Sequence, residues 1–97
     1  MSFNTGSSFT QIVGGQSQYY EDYTTTNAYV ERPFGGKVNT ITLVNDSATD
    51  KITASFDGAT VALDLKAGES ETIHTNGKSS IYIKGTAGGD QVRIKAW

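Results

Sequence analysis

Residues 51–66 read KITASFDGATVALDLK and carry the clearest strand pattern in the chain. Apolar residues alternate with polar ones on both sides of Asp57-Gly58, a dipeptide that suits tight turns because glycine accepts positive φ. Alternation with a period of two is typical of a strand that buries one face. The sequence therefore predicts a β-hairpin, and the side chains expected to point inward are Ile52, Ala54, Phe56, Val61, Leu63 and Leu65.

The same alternation continues along the chain and predicts six short strands. A second tight turn is expected at Asn76-Gly77, and the last strand is expected to run to Trp97. No stretch has a useful apolar period of 3.6 residues. The expected fold is all-β, a small antiparallel β-sandwich that is Ig-like or jelly-roll-like, with an extended N-terminal arm. The six predicted strands are residues 38–44, 51–57, 60–66, 70–75, 79–84 and 91–97.

The arm is predicted from a change of composition near Pro33-Phe34-Gly35-Gly36. Residues before it are rich in Ser, Thr, Gln, Asn, Gly and Tyr and poor in aliphatic side chains, and they carry the whole net charge of −2. We interpret residues 1–36 as an extended N-terminal arm and residues 37–97 as a β-sandwich domain. We expect that domain to keep its β-structure without the arm.

Aromatic residues are frequent in the arm and indicate an interface. Tyrosine is enriched at interfaces because its ring buries area while its hydroxyl finds a partner. Either the arm folds back over the sandwich or it lies on another subunit. Tyr82 and Trp97 occupy outward positions of the last two predicted strands. The predicted interface residues are Phe9, Tyr19, Tyr20, Tyr23, Tyr29, Phe34, Tyr82 and Trp97.

His74 is the one candidate for a general base near neutral pH. As a base it would activate a serine nucleophile, and Ser70, Ser79 or Ser80 would have to lie beside it. No nucleophile-elbow motif supports that arrangement. We interpret His74 as a solvated strand residue. The sequence predicts a protein that is not an enzyme and has no catalytic residues.

Carboxylates offer little more chemistry. Asp46 and Asp57 fall at turns, where aspartate is favoured because it hydrogen-bonds the backbone. Asp46 and Asp50 could share a cation with Asn45, but their spacing does not match a calcium loop. The glycine-rich stretch 85–89 lacks the features of a phosphate loop. With no cysteine and one histidine, the sequence predicts no metal site and no cofactor.

Several partner classes are disfavoured by charge and hydropathy. No basic block is present to neutralise phosphates, so nucleic acid is not an expected partner. No apolar run approaches the roughly 20 residues that span a bilayer, so no membrane partner is expected. The first residues lack the basic and apolar regions of a signal peptide, from which we expect no secretion of the chain by itself.

The predicted domain resembles the small structural proteins of tailed-bacteriophage virions, the capsid decoration and minor virion proteins. The resemblance covers about residues 38–97. It implies a non-enzymatic virion component that assembles in the host cytoplasm and binds the major capsid protein or other virion subunits. The matching segments are ITLVNDSATD at 41–50, ASFDG at 54–58, LKAGES at 65–70, SIYIKG at 80–85 and VRIKAW at 92–97.

Three functional hypotheses follow. The first is a capsid decoration or minor head protein that cements neighbouring capsid subunits. The second is a carbohydrate- or receptor-binding module of a fibre, for which Tyr82 and Trp97 could begin an aromatic platform. The third is a structural subunit of the tail, neck or baseplate. Small domains without disulfides often depend on oligomerisation, so a homo-oligomer is also expected.

Overall fold

A computed structural model describes residues 8–13 and 16–97, with side chains described from Tyr19 onward. These residues form strands and loops and no helix, so the all-β prediction is confirmed. The sheet has the order β1-β2-β7-β3-β6-β4-β5, and all its pairs are antiparallel. The strands are β1 Ser8–Val13, β2 Gln16–Thr24, β3 Val30–Asn45, β4 Ile52–Ser55, β5 Val61–Leu65, β6 Ser70–Gly85 and β7 Gln91–Ala96.

The two longest strands, β3 and β6, bend together and fold the sheet over. Their pairing is irregular between Pro33 and Thr40, where Gly35 and Gly77 adopt positive φ of 80° and 74°. Beyond the bend, the second half of β3 and the first half of β6 join β7, β2 and β1 in what we call the first layer. The first half of β3 and the second half of β6 join β4 and β5 in the second layer.

The two layers bury a common apolar core between them. The first layer contributes Ile41, Leu43 and Ile94, and the second contributes Ile81 and Ile83, all fully buried. Burial of each such side chain stabilises the fold by roughly 1.5–3 kcal/mol. This shared core is what makes the folded sheet a small sandwich.

The predicted inward side chains of the β4–β5 hairpin lie in or against the core, with Val61 as the exception. The β4–β5 hairpin forms as predicted, but its pairing shifts between Ala54 and Ser55, so that Ser55 faces Val61. Val61, which we expected to be buried, is therefore 54% exposed. Phe56 packs against the core but stays partly exposed. Ser55 lies on the outward face, as expected, but the turn covers it, and its hydroxyl accepts from the amides of Asp57 and Gly58.

The hairpin predicted at Asn76-Gly77 is also wrong. Residues 70–85 form one strand, and the chain does not reverse at this dipeptide. The positive φ of Gly77 serves the bend of β6 instead of a turn, since β3 pairs with β6 on both sides of it. Glycine at a bulge commonly takes this conformation.

The stretch predicted as an arm contributes β1, β2 and the first part of β3 to the sheet. Strand β2 pairs with β7 over Tyr19–Thr24, and the boundary at residue 37 falls inside β3. Phe34 is fully buried, and its ring meets that of Tyr19 edge-on at 5.4 Å between centroids. Arg32 donates to the buried carboxylate of Glu21 through Nε at 2.8 Å, which ties the second layer to the first.

Candidate functional site

The outward face of the second layer carries two cross-strand rows of side chains. Lys84, Thr53 and Asp64 are successive partners across β6, β4 and β5. These positions alternate with core residues of the same strands and therefore lie on the outer face, although Thr53 is itself buried there. The parallel row along the same face consists of Glu31, Tyr82, Ser55 and Val61.

A polar groove of 320 Å³ lies at one end of this face. Thr53 Oγ1 donates to Asp64 Oδ1 at 2.9 Å, and Lys51 Nζ lies 3.9 Å from the other carboxylate oxygen of Asp64. The groove thus offers a carboxylate, two ammonium groups and hydroxyls in a small concave space. Its lining residues are Asn27, Lys51, Thr53, Val61, Asp64, Lys84, Gly85 and Thr86.

Tyr29 lies beside this groove. The Lys84 ammonium stands over its ring, 4.6 Å from the centroid, a favourable cation–π geometry. The Tyr29 hydroxyl is buried without a hydrogen-bond partner among the described residues. Its pKa is raised, first by burial and then by the negative charges of Asp64 and Asp57. The groove therefore has an aromatic residue at its rim.

Tyr82 lies under the turn that joins β4 to β5. A side chain at Gly58 would begin 3.2 Å from the Tyr82 ring, so the glycine lets this turn approach the ring closely. The turn is held by Asp57, whose carboxylate accepts from the amides of Ala59 at 2.8 Å and Thr60 at 2.7 Å. These hydrogen bonds lower the pKa of Asp57 well below its ordinary value. Tyr82 is outward, as predicted, but its ring is partly covered.

Trp97 lies on the other side of the molecule. It follows the buried Ala96, and its amide donates to Thr40 O at 2.9 Å, so it points outward from the first layer. It is 42% exposed. Trp97 and Tyr82 therefore lie on the outer faces of different layers and do not form one aromatic platform.

The remaining predicted interface residues differ in how deeply they are buried. Tyr19 and Phe34 are buried in this chain's own core, where their rings contact each other. Tyr23 is half-buried with the Arg32 guanidinium 4.6 Å from its ring centroid, and Tyr20 is half-buried opposite Lys95. The side chain of Phe9 falls outside the described part of the chain.

The candidate catalytic residues are not brought together. His74 Nδ1 lies 3.4 Å from Thr40 Oγ1 on the exposed face of the first layer. Ser80, beyond the bend of β6, donates to Glu31 Oε2 at 2.7 Å. Ser70 pairs with Val44 at the far end of the strand.

The suggested cation set of Asn45, Asp46 and Asp50 is not assembled either. Arg93 binds Asp46 with both Nε and Nη2, at 2.7 and 3.1 Å. The Asn45 amide donates to the carbonyls of Asp50 and Leu65. In place of Asp46, the fold brings Asp90 to Asp50, a neighbour that the sequence reasoning missed. No group of three or more His, Cys, Asp or Glu side chains suited to a metal occurs within the described residues.

No helix able to span a lipid bilayer occurs in the part of the chain that the structure describes. No protein-family model matches the sequence, and no curated protein is found as a relative.

Solved structures align with this one at low sequence identity. Protein NMB1881 from Neisseria meningitidis aligns with a TM-score of 0.52 and 12% identity, over 92% of this chain and 84% of that one. A protein of unknown function (DUF1255) from Acinetobacter sp. ADP1 aligns at 0.48 and 9%, over 98% and 96%. The C-terminal CBM6 of LamC, a marine laminarinase from Zobellia galactanivorans, aligns at 0.44 and 15%, over 90% and 86%. At 12% identity the similarity to protein NMB1881 concerns the fold alone.

Proposed function

We propose that this chain is a non-enzymatic structural protein of a tailed-bacteriophage virion that cements neighbouring subunits, as a capsid decoration or minor head protein. The observation that carries the proposal is the placement of the large exposed apolar side chains. Val61 lies on the edge strand β5 of the second layer, and Trp97 lies on the outer face of the first. A cementing subunit must contact at least two neighbours, and these two surfaces face different directions.

The nature of each surface fits contact with protein. Strand β5 ends the sheet, and an edge strand presents unpaired backbone groups to which another chain can add a strand. Trp97 offers the large amphipathic ring that is enriched in interface cores. The resemblance of residues 38–97 to small virion proteins supports the phage particle as the assembly in which these contacts form.

Particles of the encoding phage provide the test. The chain should copurify with intact virions in a fixed ratio to the major capsid protein, and absence from them would overturn the proposal. Trp97→Ala and Val61→Asn should each weaken rebinding to particles stripped of the chain, because each removes one apolar contact. Ala48→Ser, in an exposed loop, is the matched control and should bind as the parent does.

A second candidate, a carbohydrate-binding module of a fibre, is favoured by the groove beside Tyr29. An aromatic ring with a carboxylate, an amide and ammonium groups around a small concavity suits the hydroxyls and apolar faces of a sugar. On a glycan array this function requires saturable binding that Asp64→Asn weakens, whereas Asp22→Asn on the opposite layer leaves it unchanged. Absence of any saturable glycan signal removes this candidate and leaves the cementing function unaffected.

A further inference from the structure

Three loops meet at one end of the sandwich, next to Asp90. Thr25, after β2, donates its amide to Asp90 O at 2.8 Å and accepts from Gly89 N at 2.8 Å through its carbonyl. Thr86, after β6, donates its hydroxyl to Lys51 O at 2.9 Å in the loop before β4. Backbone from distant parts of the chain is thus fixed around one point.

The Asp90 side chain lies inside this junction, only 6% exposed. Its Oδ1 accepts from Ser47 Oγ at 3.2 Å. Its Oδ2 is buried and finds no hydrogen-bond partner among the described residues. A Cβ at position 85 would lie 2.5 Å from this oxygen and would also collide with Thr25 Oγ1, so Gly85 is what leaves space for it.

Asp50 is brought to Asp90 by Ser47, whose hydroxyl donates to Asp90 Oδ1 at 3.2 Å and accepts from Asp50 N at 3.0 Å. The carboxylates of Asp50 and Asp90 lie close enough to interact. The bases nearest in sequence are engaged elsewhere, since Lys51 lies near Asp64 and Arg93 binds Asp46. Burial raises the pKa of Asp90, and the facing Asp50 raises it further. Two carboxylates held together without a basic partner repel each other, and a buried one is costly to leave uncompensated.

We propose that Asp50 and Asp90 together bind a hard divalent cation, preferentially Ca²⁺, at this loop junction. The two carboxylates supply oxygen donors and negative charge, which a hard cation requires. The chain has no cysteine, and its one histidine, His74, lies beside Thr40 on the first layer. Calcium tolerates the irregular geometry that loops provide, whereas magnesium demands a near-ideal octahedron. Because only two carboxylates contribute, water completes the coordination and the affinity is modest, with Kd about 10⁻⁴–10⁻³ M.

The full chain, freed of metal with a chelator, is titrated with CaCl₂ by calorimetry and melted with and without CaCl₂ at constant ionic strength. One saturable site per chain is expected. The melting temperature should rise by about 5–10 °C at ten times Kd, since a ligand that binds only the folded state stabilises it. MgCl₂ should give a smaller rise, and NaCl at equal ionic strength should give none.

The matched variants are Asp50→Asn, Asp90→Asn and Asp46→Asn. The first two should weaken Ca²⁺ binding about tenfold or more, because each removes one of the two charges. Asp46→Asn changes an equivalent charge in the same loop, already paired with Arg93, and should leave binding unchanged. Asp50 is half-exposed, so Asp50→Asn keeps the test open if Asp90→Asn fails to fold.

Two results overturn the proposal. In the first, Ca²⁺ leaves the melting temperature of the parent unchanged, while Asp50→Asn raises it. That result would mean that Asp50 and Asp90 share a proton and do not bind a cation. The other is an equal response to Ca²⁺ and to NaCl of the same ionic strength, which reflects screening alone.

Discussion

At the scale of single residues, Ile83 shows how much one side chain contributes to this core. It is fully buried on the second layer and opposes both Val30 and Ala54. Ile83→Ala should cost about 2–5 kcal/mol of unfolding free energy, because a cavity remains where the side chain was. Val61→Ala, on an exposed position of similar chemistry, should cost less than about 0.5 kcal/mol. Urea unfolding of both variants measures the difference, and equal costs would contradict the assigned register.

The stability of the turn between β4 and β5 should depend on pH through the carboxylate of Asp57. Its pKa is lowered in the folded state by hydrogen bonds from the amides of Thr60 and Ala59 and from the Ser55 hydroxyl. A lowered pKa means that the ionised carboxylate stabilises the fold above the unfolded-state pKa near 4, and that this stabilisation is lost as pH falls through the lower folded-state pKa.

Asp57→Asn should therefore lower the melting temperature at pH 7, and the difference from the parent should shrink progressively below about pH 4. Thermal melts from pH 7 down to pH 2 check this. A gap that stays constant over that range would show that the charge of Asp57 has no part in holding the turn.

At the scale of elements, the bend of β6 depends on Gly77. An added Cβ would lie 3.7 Å from Lys37 Cδ, so space is not the constraint, but φ is 74°. Gly77→Ala should cost about 1–2 kcal/mol, because residues with a Cβ are disfavoured in this conformation. Gly77→Asn should cost less, since asparagine visits the left-handed region more readily. Chemical denaturation of the pair tests this ranking, and an Asn variant as unstable as the Ala variant would argue against it.

The dipeptide Asn76-Gly77 shows how much of the fold could be predicted from the sequence. A tight hairpin turn would need positive φ at both residues of Asn76-Gly77, but only Gly77 has it, and a single such residue also suits a bend within a continuing strand. The choice depends on β3, which is long enough to pair on both sides of Gly77 and lies far away in sequence. Val61 was misplaced for a related reason, because the register shift opposite Ser55 leaves no local signal in the alternation.

For the surface residues too, local features could be predicted from the sequence and long-range contacts could not. The outward positions of Tyr82 and Trp97 followed from alternation with buried neighbours, which is a local property. Their placement on different layers follows from the bend. The meeting of Asp50 with Asp90 could not be predicted, because it depends on the packing of the loop before β4 against the loop before β7, which lies far from it in the sequence.

At the scale of the whole molecule, the residues before Lys37 decide whether the sandwich is complete. They include β2, the first half of β3 and the buried ring of Phe34. A chain beginning at Lys37 lacks β2, which covers one side of β7, and also lacks the Arg32–Glu21 ion pair between layers. We therefore expect this truncation to lose cooperative unfolding.

Calorimetry and circular dichroism of the truncated chain measure this outcome. A chain beginning at Gln16, which keeps β2, is the matched control and should melt cooperatively. Truncation at Lys37 with an undiminished melting temperature would instead support an independent domain at 37–97.

The bent pair of β3 and β6 has a consequence for motion. Each of these strands supplies hydrogen bonds to both layers, so neither layer can open while the other stays intact. Amide hydrogens in the two layers should then exchange with deuterium through one and the same global opening, and the most slowly exchanging sites should be divided between the halves of β3 on either side of its bend.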